Sequence, residues 1–212
     1  MQIFPRSLNK LPIALAVGGG VLVGGLTLGV WYYASPKNTQ VGYAPTQPVP
    51  YSHRLHAGQM GMDCRYCHSN IEKSAKAMIP PTQVCMGCHS LVRADSARIA
   101  PLKKSWETNM PVEWVQLHKL PDHAYFDHSA HLAAGVGCVT CHGRIDQMDT
   151  VRIDQPISMG WCLQCHRDPQ PNLRPKDQIT NMTWTIDQAQ NQGNPWKAPE
   201  VHPPEHCSGC HR

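Results

Sequence analysis

One five-residue signature, Cys-x-x-Cys-His, is written five times in this chain of 212 residues. It reads Cys64-Arg-Tyr-Cys67-His68, Cys85-Met-Gly-Cys88-His89, Cys138-Val-Thr-Cys141-His142, Cys162-Leu-Gln-Cys165-His166 and Cys207-Ser-Gly-Cys210-His211. Together these use all 10 cysteines. The two-residue gap sets a pair of thiols at the spacing of the two vinyl groups of one porphyrin. The imidazole that follows can reach the iron from one side, so the pattern reads as c-type haem attachment. Zinc takes such pairs two at a time and would strand one of five. A disulfide framework has no need of a histidine after every pair. The expected cofactors are therefore five covalently bound haem c. The cysteines would carry the thioethers, and His68, His89, His142, His166 and His211 would be the proximal iron ligands.

Five such groups constrain the fold. The chain is 41% hydrophobic, with two Phe, six Trp and six Tyr. Setting aside the apolar N-terminal run leaves about 180 residues, or roughly 36 per haem, one domain in length. That is too little polypeptide to build a conventional core around each porphyrin, so the porphyrins themselves would form much of the buried apolar mass. The expected fold is mostly α and irregular: one N-terminal transmembrane helix, then short helices and loops wrapped round the haems, with little sheet. The formal charge is +4. Each oxidised haem adds about −1 (iron and porphyrin +1, two propionates −2), so five bring the chain to about −1. Basic side chains then pair with propionates, and nothing here argues for nucleic acid.

Residues 1–10 form a polar stub carrying Arg6 and Lys10. Residues 11–33 contain no charge and end in Trp31, Tyr32 and Tyr33. At 1.5 Å per residue they span about 34 Å as a helix, enough to cross a bilayer, and the aromatic end suits the interface. A cleaved signal peptide is the alternative, but the run is longer than a signal core. The basic stub predicts a single-pass anchor in a bacterial inner membrane, N-terminus cytoplasmic and the remainder periplasmic. Gly20 and Gly24, like Gly25 and Gly29, stand four apart, a spacing that admits partner transmembrane helices. Residues 34–50 are Pro-rich and polar and read as an extended linker. The haem region is expected over residues 51–212, with helical stretches at 91–106 and 111–120 and no repeat beyond the haem unit itself.

Eight histidines remain for the far side of each iron. Two pairs share a frame: Tyr51-Ser-His53-Arg-Leu-His56 precedes Cys64, and Phe126-Asp-His128-Ser-Ala-His131 precedes Cys138. The i,i+3 spacing sets both imidazoles on one helical face, where neighbouring rings can serve two neighbouring irons. The frame resembles that of small c3/c7-type multihaem cytochromes, in which one histidine serves the following haem and the other a second haem. By that resemblance His53 and His128 would cap the first and third haems, while His56 and His131 would reach across to others. His118 is the fifth distal candidate. Met159, three residues before Cys162, is a weaker one, since a thioether would raise that haem's potential. His123, His202 and His206 read equally well as solvated surface residues. A haem closed on both faces has nowhere to bind substrate, so the chain is expected to conduct electrons, with no substrate site of its own.

The runs YSHRLHAGQMGMDCRYCH, EWVQLHKLPDHAYFDHSAHLAAGVGCVTCHG, ISMGWCLQCHR, ITNMTW and CSGCHR resemble the pentahaem cytochrome c subunit of alternative complex III over nearly all of residues 51–212. The resemblance implies a membrane quinol:electron-acceptor oxidoreductase. Its partners would be an iron–sulfur, molybdopterin-type subunit, polytopic quinol-binding subunits and a monohaem cytochrome c. Two other readings compete: a stand-alone quinol dehydrogenase resembling the NapC/NrfH group, and a catalytic multihaem reductase. In the NapC/NrfH group the first haem motif follows the anchor closely, whereas here about 30 residues intervene.

Overall fold

The computed structural model describes residues 5–191 and 195–211. The first four residues of the expected stub, residues 192–194 and residue 212 lie outside them. The chain divides into two compact units, Met1–Val41 and Gly42–Arg212.

The first unit is dominated by helix α1, Leu11–Tyr33. It opens with Pro12 in its first turn, where the missing N–H costs nothing. None of its residues is buried, and its span is long and apolar enough to cross a membrane. A helix apolar on every side needs a lipid or protein surround. A short helix α2, Pro36–Thr39, follows, so residues 34–50 do not run as one extended tether. From Gly42 onward the stretch packs into the second unit: Gly42 and Tyr43 exchange backbone hydrogen bonds with Ile153 (2.8 and 3.0 Å). Val49 is buried with Met86, Ile99 and Leu102.

The second unit is built of short helices: α3 Cys64–Cys67, α4 Thr82–His89, α5 Ala100–Thr108, α6 His128–Ala134, α7 Cys138–His142, α8 Met159–Arg167, α9 Ile186–Gln190 and α10 Cys207–Cys210. Among the described residues there is no strand, only the bridges Ala124–His211 and Val136–Leu173. The expected mostly α and irregular class is what is observed. Helix α5 is held as an ordinary amphipathic helix, burying Leu102 and Ser105, with the Ser105 hydroxyl 2.7 Å from that of Thr82 on α4.

Residues 111–120, expected to be helical, are irregular. The side-chain amide of Gln47 explains why: its Nε2 donates to the Val115 carbonyl (2.9 Å) and its Oε1 accepts from the Val115 N–H (3.0 Å). Both backbone groups are thereby satisfied without a helix, and Pro111 and β-branched Val112 and Val115 disfavour one.

The polypeptide alone has a thin core. It exposes 15057 Å², where a folded monomer of its 23.6 kDa would expose roughly 9,800 Å². The bare anchor helix accounts for part of the excess. In the second unit the buried apolar side chains are few and scattered, Met148 and Leu173 being the most enclosed.

Candidate haem-binding sites

Every Cys-x-x-Cys-His motif folds as a helical turn: α3, α4, α7, α8 and α10 each carry one. Two cysteines three apart then share a face, with the histidine at the turn's end. Local chemistry starts these turns. Asp63 caps α3 by accepting from the Arg65 N–H (2.8 Å), and Ser158 caps α8 by accepting from that of Trp161 (3.3 Å). At α7 the cap is Gly137, where any side chain would overlap the guanidinium of Arg174. No two of the ten cysteines are bonded to each other. Among the described residues no three His, Cys, Asp or Glu cluster as metal ligands.

The histidines show a shared preparation. Nδ1 lies against a backbone carbonyl in seven of them: His56 on Ser52 (2.9 Å), His68 on Met78 (2.8 Å), His89 on Val92 (3.0 Å), His128 on Ala75 (2.8 Å), His131 on Asp127 (2.7 Å), His166 on Pro204 (2.7 Å) and His211 on His123 (2.9 Å). A carbonyl can only accept, so Nδ1 carries the proton and Nε2 keeps a free lone pair. That is the tautomer and orientation a metal-binding imidazole requires.

Burial keeps several of these rings neutral. His53 is held down to about 4, by burial first and then by His68 and His56. His142 is held down to about 3, by burial, then His118, His128, His68 and His53. His131 is lowered by burial and by His166 and His128.

Two imidazoles bonded to opposite sides of one metal at about 2 Å each place their ring centres about 6 Å apart. Three pairs stand at that separation: His56–His89 at 6.2 Å, His128–His142 at 6.4 Å and His131–His166 at 6.1 Å. After burial, His68 is the group that most lowers the His53 pKa, which makes the two rings neighbours. His123 stacks on His211 at 5.5 Å. His118 meets His142 edge-on at 4.6 Å, too close to stand across a metal from it, and its Nε2 is buried without a partner. Met159 is 68% exposed, while His131 stands across from His166. His123 was not separable from surface histidines in the sequence. The pairing depends on the Ala124–His211 bridge and the Tyr125 N–H to Cys210 carbonyl bond (2.8 Å), which no local pattern announces.

The two aromatic-histidine frames repeat each other ring for ring. Tyr51 lies edge-on to His53 (4.8 Å, 88°) and stacks on His56 (4.5 Å, 23°). Phe126 lies edge-on to His128 (4.7 Å, 88°) and against His131 (4.4 Å, 31°). A repeat larger than the haem unit is thus present, contrary to expectation. The unequal gaps after the two frames, 21 residues from Cys64 to Cys85 and 24 from Cys138 to Cys162, hide it in the sequence.

Helical Cys-x-x-Cys-His turns, proton-fixed imidazoles and rings paired across a metal's width define a multihaem c-type cytochrome, an electron-transfer protein with covalent haem c. Residues 124–212 match the family of cytochrome c7 and related cytochrome c, and the domain is c7-like. The chain is also 32% identical over 122 residues to the multihaem cytochrome c subunit of menaquinone reductase from Nitratidesulfovibrio vulgaris. That match covers 57% of this chain and 55% of the relative, so the chain spans about half the length of the curated relative it matches.

Proposed function

We propose that this protein is a membrane-anchored pentahaem cytochrome c that relays electrons within a quinol:electron-acceptor oxidoreductase of the alternative complex III kind. It would pass them from an iron–sulfur and quinol side to a monohaem cytochrome or another periplasmic acceptor. The observation that carries the reading is the set of histidine pairs: His56–His89, His128–His142 and His131–His166 stand a metal's width apart, and His123 stacks on His211. Haem bound at each site supplies a one-electron carrier whose potential its axial ligands and surroundings tune.

The chain's own residues would do the rest. The ten cysteines would hold the group covalently. His68, His89, His142, His166 and His211 would bind it from one side, with His53, His56, His128, His131 and His123 as the residues facing them. Of these facing residues only His123 departs from the sequence expectation, which named His118. An imidazole on each face would leave no open position for substrate, so in this reading the subunit conducts without a reaction of its own.

Helix α1 is the bilayer anchor in this reading. Its basic N-terminal flank puts the haem region, residues 51–212, on the periplasmic side of a bacterial inner membrane. The partners are an iron–sulfur, molybdopterin-like subunit, polytopic quinol-binding subunits and a monohaem cytochrome c.

The menaquinone reductase relative favours a second reading, in which the same relay runs toward quinone. One experiment separates these readings from a stand-alone quinol dehydrogenase. The complex is extracted in mild detergent through a tag on this chain, its subunits are identified, and quinol is added while haem reduction is followed. Co-purification of an iron–sulfur subunit and reduction by quinol are expected. An unreactive complex whose haems are instead oxidised by quinone would favour the reverse direction. Recovery of this chain alone, oxidising quinol, would overturn membership of a complex.

A further inference from the structure

We infer that the five attachment sites form one unbranched path in the spatial order second, first, third, fourth, fifth, with the second and fifth as its two ends. The inference rests on the five-haem reading and goes beyond it, because the chain order of the motifs does not give this order.

Each link has its own contacts. Between second and first, the link runs through one aromatic ring. The Tyr51 ring touches both His53, the neighbour of His68, and His56, the partner of His89. Between third and fourth, helix α6 presents His128 to His142 and His131 to His166. These two links are the repeated frame, used once in each half.

The join between the halves is reciprocal. The Asp63 carboxylate beside the first motif accepts from the Thr180 hydroxyl (2.8 Å), and the neighbouring Ile179 carbonyl accepts from the Cys138 N–H of the third (3.1 Å). The segment after the first motif serves the second frame: the Ala75 carbonyl accepts from the His128 N–H (3.2 Å) and from its Nδ1 (2.8 Å). The segment after the third motif serves the first frame: the Met148 carbonyl accepts from the Arg54 N–H (3.1 Å), and Asp149 accepts from Ser52 (2.7 Å) and Arg54 (3.1 Å). Each half thus lends the segment after its motif to the other half's frame, a reciprocal crossing that approximates a two-fold packing. Such a packing puts the first and third sites back to back and sends the second and fourth outward.

The fifth site then extends one side only. The His166 ring is pinned to the Pro204 carbonyl (2.7 Å), and Arg167 pairs with Glu205 (3.5 Å). The exposed cysteines are Cys88 and Cys207, one at each proposed end. An electron received at one end from a one-electron donor leaves at the other to a one-electron acceptor, with no net change in the chain.

The test is the arrangement of irons in the intact complex, determined by electron cryomicroscopy. Consecutive sites in the order second, first, third, fourth, fifth should be the shortest iron–iron separations, with the second and fifth irons outermost. A second or fifth iron lying in the interior, or a first iron whose neighbours do not include the third, would overturn the order. Fewer than five haems would instead overturn the underlying reading. A kinetic arm uses the complex carrying Cys138→Ala and Cys141→Ala. Donor-driven reduction should fill the haems on one side of the break and stall, while Cys207→Ala with Cys210→Ala removes one haem and leaves rapid equilibration among the other four. Unimpeded equilibration across the missing third site would contradict the path, and a variant that does not assemble leaves the iron positions to decide.

Discussion

The two halves of the haem region, residues 51–89 and 126–166, solve one problem with different side chains. In each, an aromatic ring wedges between two histidines one turn apart. In each, the second histidine's Nδ1 is held by the carbonyl four residues back, Ser52 in one and Asp127 in the other. The differences lie in how the frame is started and fastened. The first frame runs into a π-helical turn, Arg54–Gln59, and leaves the His53 Nδ1 buried without a partner. The second is α-helical, capped by the Asp127 carboxylate on the Ser129 and Ala130 N–H groups (2.8 and 3.4 Å) and closed by Gly135 at φ 98. The shared parts are the aromatic wedge and the carbonyl that holds the second imidazole, and the variable parts are the backbone caps and the fastening of the first, where His128 Nδ1 rests on Ala75 and His53 Nδ1 on nothing. Ring placement is therefore the conserved requirement between the halves.

The comparison is broken most severely by removing a wedge. Phe126→Ala or Tyr51→Ala should each lower stability by about 3 kcal/mol, the low end for loss of a large ring because both rings are only half-buried. Thermal unfolding of the haem-loaded protein measures it, and equal effects would show the halves to be equivalent. Next comes the cap of the third-motif helix. Gly137→Ala drives a methyl into the Arg174 guanidinium, which is 7% exposed and stacked 5.2 Å from the Trp184 ring centre. Overpacking of this kind should cost on the order of 1–3 kcal/mol.

The matching cap in the first half, Asp63, is open to solvent, and Asp63→Ala should cost about 1 kcal/mol. Its carboxyl is held from 3.8 down to about 2, chiefly by the Arg65 side chain and also by Thr180. A depressed acid stabilises the fold above its unfolded value. The difference between wild type and Asp63→Ala should therefore be full above pH 4 and fade as pH falls toward 2; a difference that persists there would mean the carboxylate is not its source. Smallest of all is Tyr51→Phe. Phe126 already fills the equivalent place without a hydroxyl, so melting should move by less than about 0.5 kcal/mol.

Much of this was legible in the residues. The five Cys-x-x-Cys-His turns follow from a pattern whose chemistry is local, and the 23-residue helix α1 coincides with the uncharged run. The i,i+3 histidine pairs announced neighbours on one face. What stayed hidden is what depends on chain segments far apart in sequence. His118 and His123 lie on a strap with no helical period, and only its contacts with α7 and α10 set His118 beside His142 and His123 beside His211. The expected helix at 111–120 was undone by one glutamine from residue 47. The pairing of the halves rests on carbonyls at positions 75 and 148, which carry no side-chain signature.

The account stands on imidazoles closing both faces of every iron. Electron paramagnetic resonance of the fully oxidised, complex-bound protein examines this directly. The prediction is five low-spin ferric haems per chain and no high-spin signal; a high-spin haem in the unaltered protein would mean that at least one histidine pair does not share a metal.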